Sequence, residues 1–130
     1  MLANSPVVAA LPTKDINTAK QFYGDKLGLK VVNDSPGGVV YESGGNKLLV
    51  YPSPSAGTNQ ATAAGWRVDD VEATVADLKS RGVVFEHYDN IPNTTVEGDI
   101  HIMGSGDQIW KGAWFKDPDG NILSLGSGMY

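Results

Sequence analysis

The sequence predicts an α+β protein built from two βαβββ modules, on three observations. Two short amphipathic segments each begin at an aspartate and end at a glycine, as helices do. Each segment lies between strand-like apolar runs, and each half of the chain closes on a Gly-Asn turn between two more such runs.

The first half opens with the strand-like run Val7 to Leu11. A helix is predicted from about Asp15 to Leu27, with Ile16, Ala19, Phe22, Tyr23 and Leu27 on one face and Gly28 as its left-handed cap. Leu29-Lys30-Val31-Val32 begins a strand, and Gly44-Gly45-Asn46 turns the chain into Lys47-Leu48-Leu49-Val50-Tyr51. Pro52 to Gln60 has linker composition, which places the modules at about residues 1–51 and 63–126 with a linker at about 52–62.

In the second half, Ala63 to Val68 precedes a helix from about Asp70 to Arg81, with Val71, Val75 and Leu78 on one face and Gly82 as cap. Asp69 and Glu72 suit a capping box there. Val83-Val84-Phe85 resumes the strand pattern, and Asp119-Gly120-Asn121 leads into Ile122-Leu123-Ser124-Leu125. This module is longer because residues 89–108, rich in Gly, Asn, Thr and Asp, form an insertion. Such a segment serves a function, packs as a lid or is a tolerated surface insertion.

A length of 130 residues suits one domain with a working core, and the 41% hydrophobic and 19% charged content places it among ordinary globular proteins rather than disordered or fibrous ones. The net charge is -5 and the ten Lys and Arg residues are scattered, which argues against a nucleic-acid partner. No apolar run approaches the ~20 residues that span a bilayer, and Met1 to Pro6 lacks the basic start and apolar core of a signal peptide. A cytoplasmic location without membrane partners is expected. The lack of cysteine removes disulfides, thiolate nucleophiles and Cys-ligated zinc.

The segment Phe115-Lys116-Asp117-Pro118-Asp119-Gly120-Asn121-Ile122-Leu123-Ser124-Leu125 resembles the terminal signature of the vicinal oxygen chelate superfamily, which holds glyoxalase I, bleomycin-resistance proteins and extradiol dioxygenases. Lys14-Asp15-Ile16 through Phe22-Tyr23 and Leu27-Gly28-Leu29 resembles the family's first helix and turn, and Trp66-Arg67-Val68-Asp69-Asp70-Val71 through Gly82 its second. Asp117 to Asn121 read as a tight turn without a catalytic role.

The resemblance implies sheets curled around a central cup, with a divalent metal held by inward His, Glu or Gln side chains from the first and last strands of each module. It places those four positions at Val8, Leu49, Ala63 and Ser124. None of them offers a carboxylate or imidazole, and the neighbours Val7, Ala9, Leu48, Val50, Thr62, Ala64, Leu123 and Leu125 do no better, so no metal and no cofactor is expected. His87 and His101 fall at none of these positions; a lone histidine in a loop or strand end is more often solvated or hydrogen-bonded than catalytic.

Strand alternation carries Ile122, Gly65 and Arg67 to the cup side with Ser124 and Ala63, and leaves Trp66 and Phe115 behind the sheet against the helices. It groups Tyr41, Lys47, Leu49, Tyr51 and Trp114 on the cup side, joined by Trp110. The expected ligand-binding set is therefore Tyr41, Leu49, Tyr51, Ala63, Arg67, Trp110, Trp114 and Ser124. Such a lining suits a small planar or aromatic molecule, with Arg67 able to select a carboxylate. The resemblance implies a homodimeric, bleomycin-resistance-like protein that binds or sequesters that molecule without turnover. Two alternatives stand beside it. One is a glyoxalase-like lyase or isomerase working without metal through Arg67, His87, His101 or Tyr51; the other is a structural or regulatory subunit whose cup is filled by its own aromatic side chains.

Overall fold

In the computed structural model, which describes residues 1–128, the first helix starts where an aspartate provides its cap. The Asp15 side chain accepts hydrogen bonds from Asn17 N and Thr18 N, at 3.0 and 3.3 Å, filling two donors that the first turn leaves free. Helix α1 (Ile16–Lys20) then widens into a π-helical turn over Gln21–Lys26 instead of continuing regularly to Leu27. The widening puts two sequence neighbours, Phe22 and Tyr23, into the core together, with their rings edge to face at 5.1 Å. Gly28, at φ 73°, ends the helix as predicted.

The chain divides into two compact units, the first made of Met1–Gln60 and Asp117–Asn121. Its strands β1 (Ala9–Thr13), β2 (Lys30–Ser35), β3 (Gly38–Ser43) and β4 (Asn46–Pro52) form an open sheet in the order β1-β4-β3-β2, with β1 parallel to β4 and the other pairs antiparallel. Gly44 and Gly45 alone make the turn between β3 and β4, both with positive φ, and Asn46 is already in the strand. Leu11, Val39, Tyr41, Leu48 and Val50 cover one face of this sheet and are buried with Ala19, Phe22 and Tyr23.

The second unit takes Ala61–Lys116 and the chain from Ile122 on. Strand β5 (Thr62–Arg67) leads to α2 (Val71–Ser80), capped by the Asp70 side chain on Ala73 N at 2.9 Å. The capping box does not form: Asp70 is the cap, so Glu72 stands one position too early for it and pairs with Lys111 at 2.6 Å instead. The predicted apolar face is confirmed, since Val71, Val75 and Leu78 are all buried.

Next come β6 (Phe85–Glu86), β7 (Thr94–Glu97), β8 (Ile100–Ser105), β9 (Gln108–Lys116) and β10 (Ile122–Ser127). The sheet is open, in the order β5-β10-β9-β8-β7, with β6 also on β9. The inserted segment is thus largely strand. Glu86 pairs with Trp114 and His101 with Gly112, so β6 and β8 occupy successive stretches of one β9 edge and the chain between them is an excursion from a single strand position. Within it β7 and β8 pair as an antiparallel hairpin, from Thr94 opposite Met103 to Glu97 opposite Ile100.

The turn after β9 is fixed by buried polar bonds within the first unit. The Asp117 carboxylate takes four donors: Asp119 N and Asn121 N on Oδ1, the Tyr23 hydroxyl (2.6 Å) and Asn121 Nδ2 (2.8 Å) on Oδ2. Asn121 Nδ2 also donates to Pro12 O, and Gly57 N donates to Asn121 Oδ1. The stretch of linker composition is accordingly tied down, with Ala56 buried and Gly57 at φ 76° against the Asp119 carbonyl, where an added Cβ would stand 1.8 Å from that oxygen.

Burial, reinforced by the Asp117 charge, pushes the Tyr23 hydroxyl far above the ordinary tyrosine range. Tyr23→Phe removes a hydrogen bond to a charged group and is expected to cost roughly 1.5–3 kcal/mol in urea unfolding at pH 7. The folded Tyr23 keeps its proton where the unfolded chain loses it, so this stabilisation is complete below pH ~10 and lost above it. Native stability should therefore fall more steeply between pH 9 and 11 than that of Tyr23→Phe, as read from urea midpoints across that range.

Candidate functional site

Nine consecutive residues of β9 alternate between the two faces of the second sheet. Ala113 and Phe115 point to the helix side, where Phe115 packs against Trp66 at 6.4 Å and Phe85 at 5.6 Å. Trp110, Gly112 and Trp114 therefore point to the other face. Pairing brings Ser124 beside Trp114, Gly126 beside Gly112 and Met103 beside Trp110 on that same face.

These residues bound a trough of about 100 Å³ lined by Met103, Trp110, Gly112, Trp114, Ser124 and Gly126, among others. Its middle is open because two glycines pair there. A Cβ on Gly112 would meet Met103 Cε at 3.2 Å, and one on Gly126 would meet the Lys111 carbonyl at 2.9 Å. The volume is on the scale of one ring, since a cavity of roughly 150 Å³ takes up benzene. A larger groove of about 460 Å³ lies in the first unit along Thr13, Lys14, Pro52, Ser53 and Pro54, but no aromatic wall or cluster of ionisable side chains faces it.

Trp114 is held on several sides. Its Nε1 donates to Thr62 Oγ1 at 3.1 Å, and its ring meets His101 edge to face at 4.9 Å and Tyr88 at 5.6 Å. His101 is fully buried, and its Nε2 accepts the Tyr88 backbone N–H at 2.9 Å. Burial, followed by the nearby His87, holds the His101 pKa below the ordinary histidine value. His87 lies outside this cluster: its ring meets Asp99 at 2.7 Å, and Lys79 reaches the same carboxylate at 2.6 Å, which draws the Asp99 pKa down.

Of the predicted site residues, Trp110, Trp114 and Ser124 line the trough together. Arg67 pairs with Gly126 on the same sheet and is exposed, while Ala63 sits at a bulge where the β5–β10 register shifts. Leu49 and Tyr51 stand in the first unit on the face of β4 away from Leu48 and Val50, half-buried. Tyr41 is a correction. It pairs with Leu48, not Leu49, so its ring turns to the helix side and packs 6.1 Å from Tyr23. Met103, Gly112 and Gly126 line the trough and Tyr88 packs on Trp114 beside it, none of them assigned by sequence reasoning, which named His101 only as an acid–base candidate.

The donors that a divalent metal requires are missing at the four positions expected from the resemblance. Val8 and Leu49 are aliphatic, Ala63 is a methyl group, and Ser124 offers only a hydroxyl. Among the described residues, no three His, Asp or Glu side chains come together where they could hold a metal ion.

The glyoxalase/bleomycin resistance protein/dioxygenase superfamily model matches residues 6–125. The chain belongs to that superfamily. One relative is the uncharacterized protein YetH of Bacillus subtilis, 27% identical over 127 residues, covering 89% of this chain and 92% of that protein. Among solved structures, the chain is similar to a glyoxalase/bleomycin resistance protein/dioxygenase from Alicyclobacillus acidocaldarius, with TM-score 0.73, 21% identity and coverage of 98% and 93% of the two chains. It is also similar to TnmS3, an antibiotic binding protein from Streptomyces sp. CB03234, with TM-score 0.70, 26% identity and 98% coverage of each chain. Within the superfamily's α+β fold, this chain departs from the plain βαβββ order by the excursion between β6 and β8.

Burial of the His101 ring ties the stability of the fold to pH. The folded ring stays neutral where the unfolded one gains a proton, so its contribution to stability is full above pH ~6.5 and is lost as the pH falls below that value. In a histidine-resolved NMR titration, the His101 ring is expected to titrate below pH 6.5, with a loss of stability over the same interval that His101→Gln abolishes.

Proposed function

We propose that this chain is a small-molecule-binding protein of the bleomycin-resistance kind, which holds a planar or aromatic molecule in the trough of its second sheet without chemical turnover and without a metal. The observation that carries this reading is the pair Gly112 and Gly126, which opens a floor between Trp110 and Trp114 on an otherwise side-chain-covered face. An apolar slot with few polar groups binds through buried area and stacking. The likeness to an antibiotic binding protein supports a small-molecule occupant.

The metal-free acid–base alternative has less support. His101 is buried with Nε2 already engaged, and His87 is paired with Asp99 outside the trough. No helix of the described residues is long and apolar enough to cross a membrane.

Titration of tryptophan fluorescence with a panel of planar aromatic compounds is expected to reveal saturable binding. Trp114→Ala should weaken it by about 1 kcal/mol or more, roughly fivefold, through lost stacking and area. Gly112→Ala should weaken it as well, because its methyl stands on the floor against Met103. Arg67→Ala should matter mainly for anionic compounds. Unchanged affinity in both Trp114→Ala and Gly112→Ala would remove the trough from the account.

The protein is proposed to act as a homodimer. Val7, Val8, Val31, Val32, Val84 and Ile109 are all exposed, apolar surface of the sort that subunits bury. Sedimentation at micromolar concentration should give the mass of two chains; a monomer insensitive to concentration and salt would contradict this.

A further inference from the structure

Two polar atoms beside the trough lack partners. His101 is fully buried and its Nδ1 makes no hydrogen bond, and the Tyr88 hydroxyl is likewise enclosed and unbonded. Buried polar groups nearly always find a partner, so two such atoms in one aromatic cluster mark a place where another molecule bonds. Their rings lie 6.0 Å apart and both meet Trp114 edge on.

The backbone sets the sense of the missing bond. Because His101 Nε2 accepts the Tyr88 N–H, the proton of the neutral ring sits on Nδ1. Burial keeps the ring neutral at pH 7, so Nδ1 is an obligate donor in want of an acceptor. The Gly112 backbone is near enough to bear on the ring's titration but makes no hydrogen bond of good geometry to Nδ1.

His101 is not itself a lining residue of the trough but stands directly against the residues that line it. His101 pairs with Gly112 of the floor and shares its face, and Met103, two residues further on, and Trp114 are both lining residues. A Cβ on Gly112 would meet Met103 Cε at 3.2 Å and Trp114 Cη2 at 3.9 Å. A flexible thioether methyl and an indole edge are therefore what close over the floor next to His101, and a methionine moves aside readily.

We propose that His101 and Tyr88 form the polar end of the trough, and that its occupant is a planar ring bearing a neutral carbonyl oxygen that accepts the His101 Nδ1–H. The inference rests on the reading of the trough as a small-molecule site. The Tyr88 hydroxyl, whose proton rotates freely, donates to the second lone pair of the same oxygen. A carboxylate is a poor fit. It would suffer the same desolvation that keeps the imidazole neutral, and the Glu86 charge already acts on Tyr88.

The test is an NMR titration of the intact protein with acetophenone and with α-methylstyrene, two planar molecules of one shape that differ by a carbonyl oxygen against a methylene group. Both are expected to move the indole N–H signals of Trp110 and Trp114, with acetophenone bound about tenfold more tightly. His101→Gln keeps an acceptor for Tyr88 N–H but deletes the Nδ1 donor, and should bring the ratio of affinities to about one. Tyr88→Phe deletes a hydroxyl that nothing in the folded protein bonds, so it should leave the unfolding midpoint in place while lowering the ratio part of the way. Equal affinities in the wild-type protein would overturn the proposal and leave the trough as a binding site; no shift at either indole with either probe at millimolar concentration would overturn both. If His101→Gln does not fold, a wild-type ratio in Tyr88→Phe counts against the proposal and a lowered one supports it.

Discussion

The alternation of side chains along β9 is the constraint from which the second unit is built. One strand supplies Ala113 and Phe115 to the buried side and Trp110, Gly112 and Trp114 to the open side, and the two sets cannot exchange without a register shift that would turn Phe115 outward and drive both tryptophans into the packed face. Both edges of β9 are occupied, by β10 along one side and by β6 and then β8 along the other. The register is thus fixed twice, and the trough inherits its geometry from the core behind it. Rigid elements place binding groups more accurately than loops do, which suits a site made of strand residues.

The turn at Asp117 plays the structural part that its sequence suggests. It holds no catalytic group; its carboxylate and amide are consumed by bonds to Tyr23, Pro12, Gly57 and the turn's own backbone. Four donors on one buried carboxylate satisfy its lone pairs, which turns a costly buried charge into a specific anchor. The segment marks the fold, whereas the trough is made of less distinctive residues, two glycines and a methionine among them.

Helix ends and turns were legible because their chemistry is local: Asp15 and Asp70 cap, and Gly28 and Gly82 close, with no help from distant residues. Trp110, Trp114 and Ser124 were legible as well, since alternation within one strand and across one short turn relates them. Tyr41 was not. The face of β3 relative to β4 depends on the length of the turn, and a turn made by Gly44 and Gly45 alone pairs Tyr41 with Leu48, a one-residue difference that flips the side chain. The excursion from β6 to β8 hid Met103 and His101, because its Gly and Asn content reads as loop. The alternating Ile100-His101-Ile102-Met103 between Gly98-Asp99 and Gly106-Asp107 was the signal for a strand between two hairpin turns. The partnerless state of His101 Nδ1 and the Tyr88 hydroxyl is a property of packing and is not written in any local pattern.

The three tryptophans give the account its most direct test, because Trp66 packs on the helix side of the same sheet whose other face carries Trp110 and Trp114. The measurement is the movement of the three indole N–H signals as planar aromatic compounds are added to the protein. A trough that binds such molecules predicts saturable shifts at Trp110 and Trp114 with Trp66 little changed. Shifts confined to Trp66, or saturable binding that leaves all three indoles in place, would contradict it.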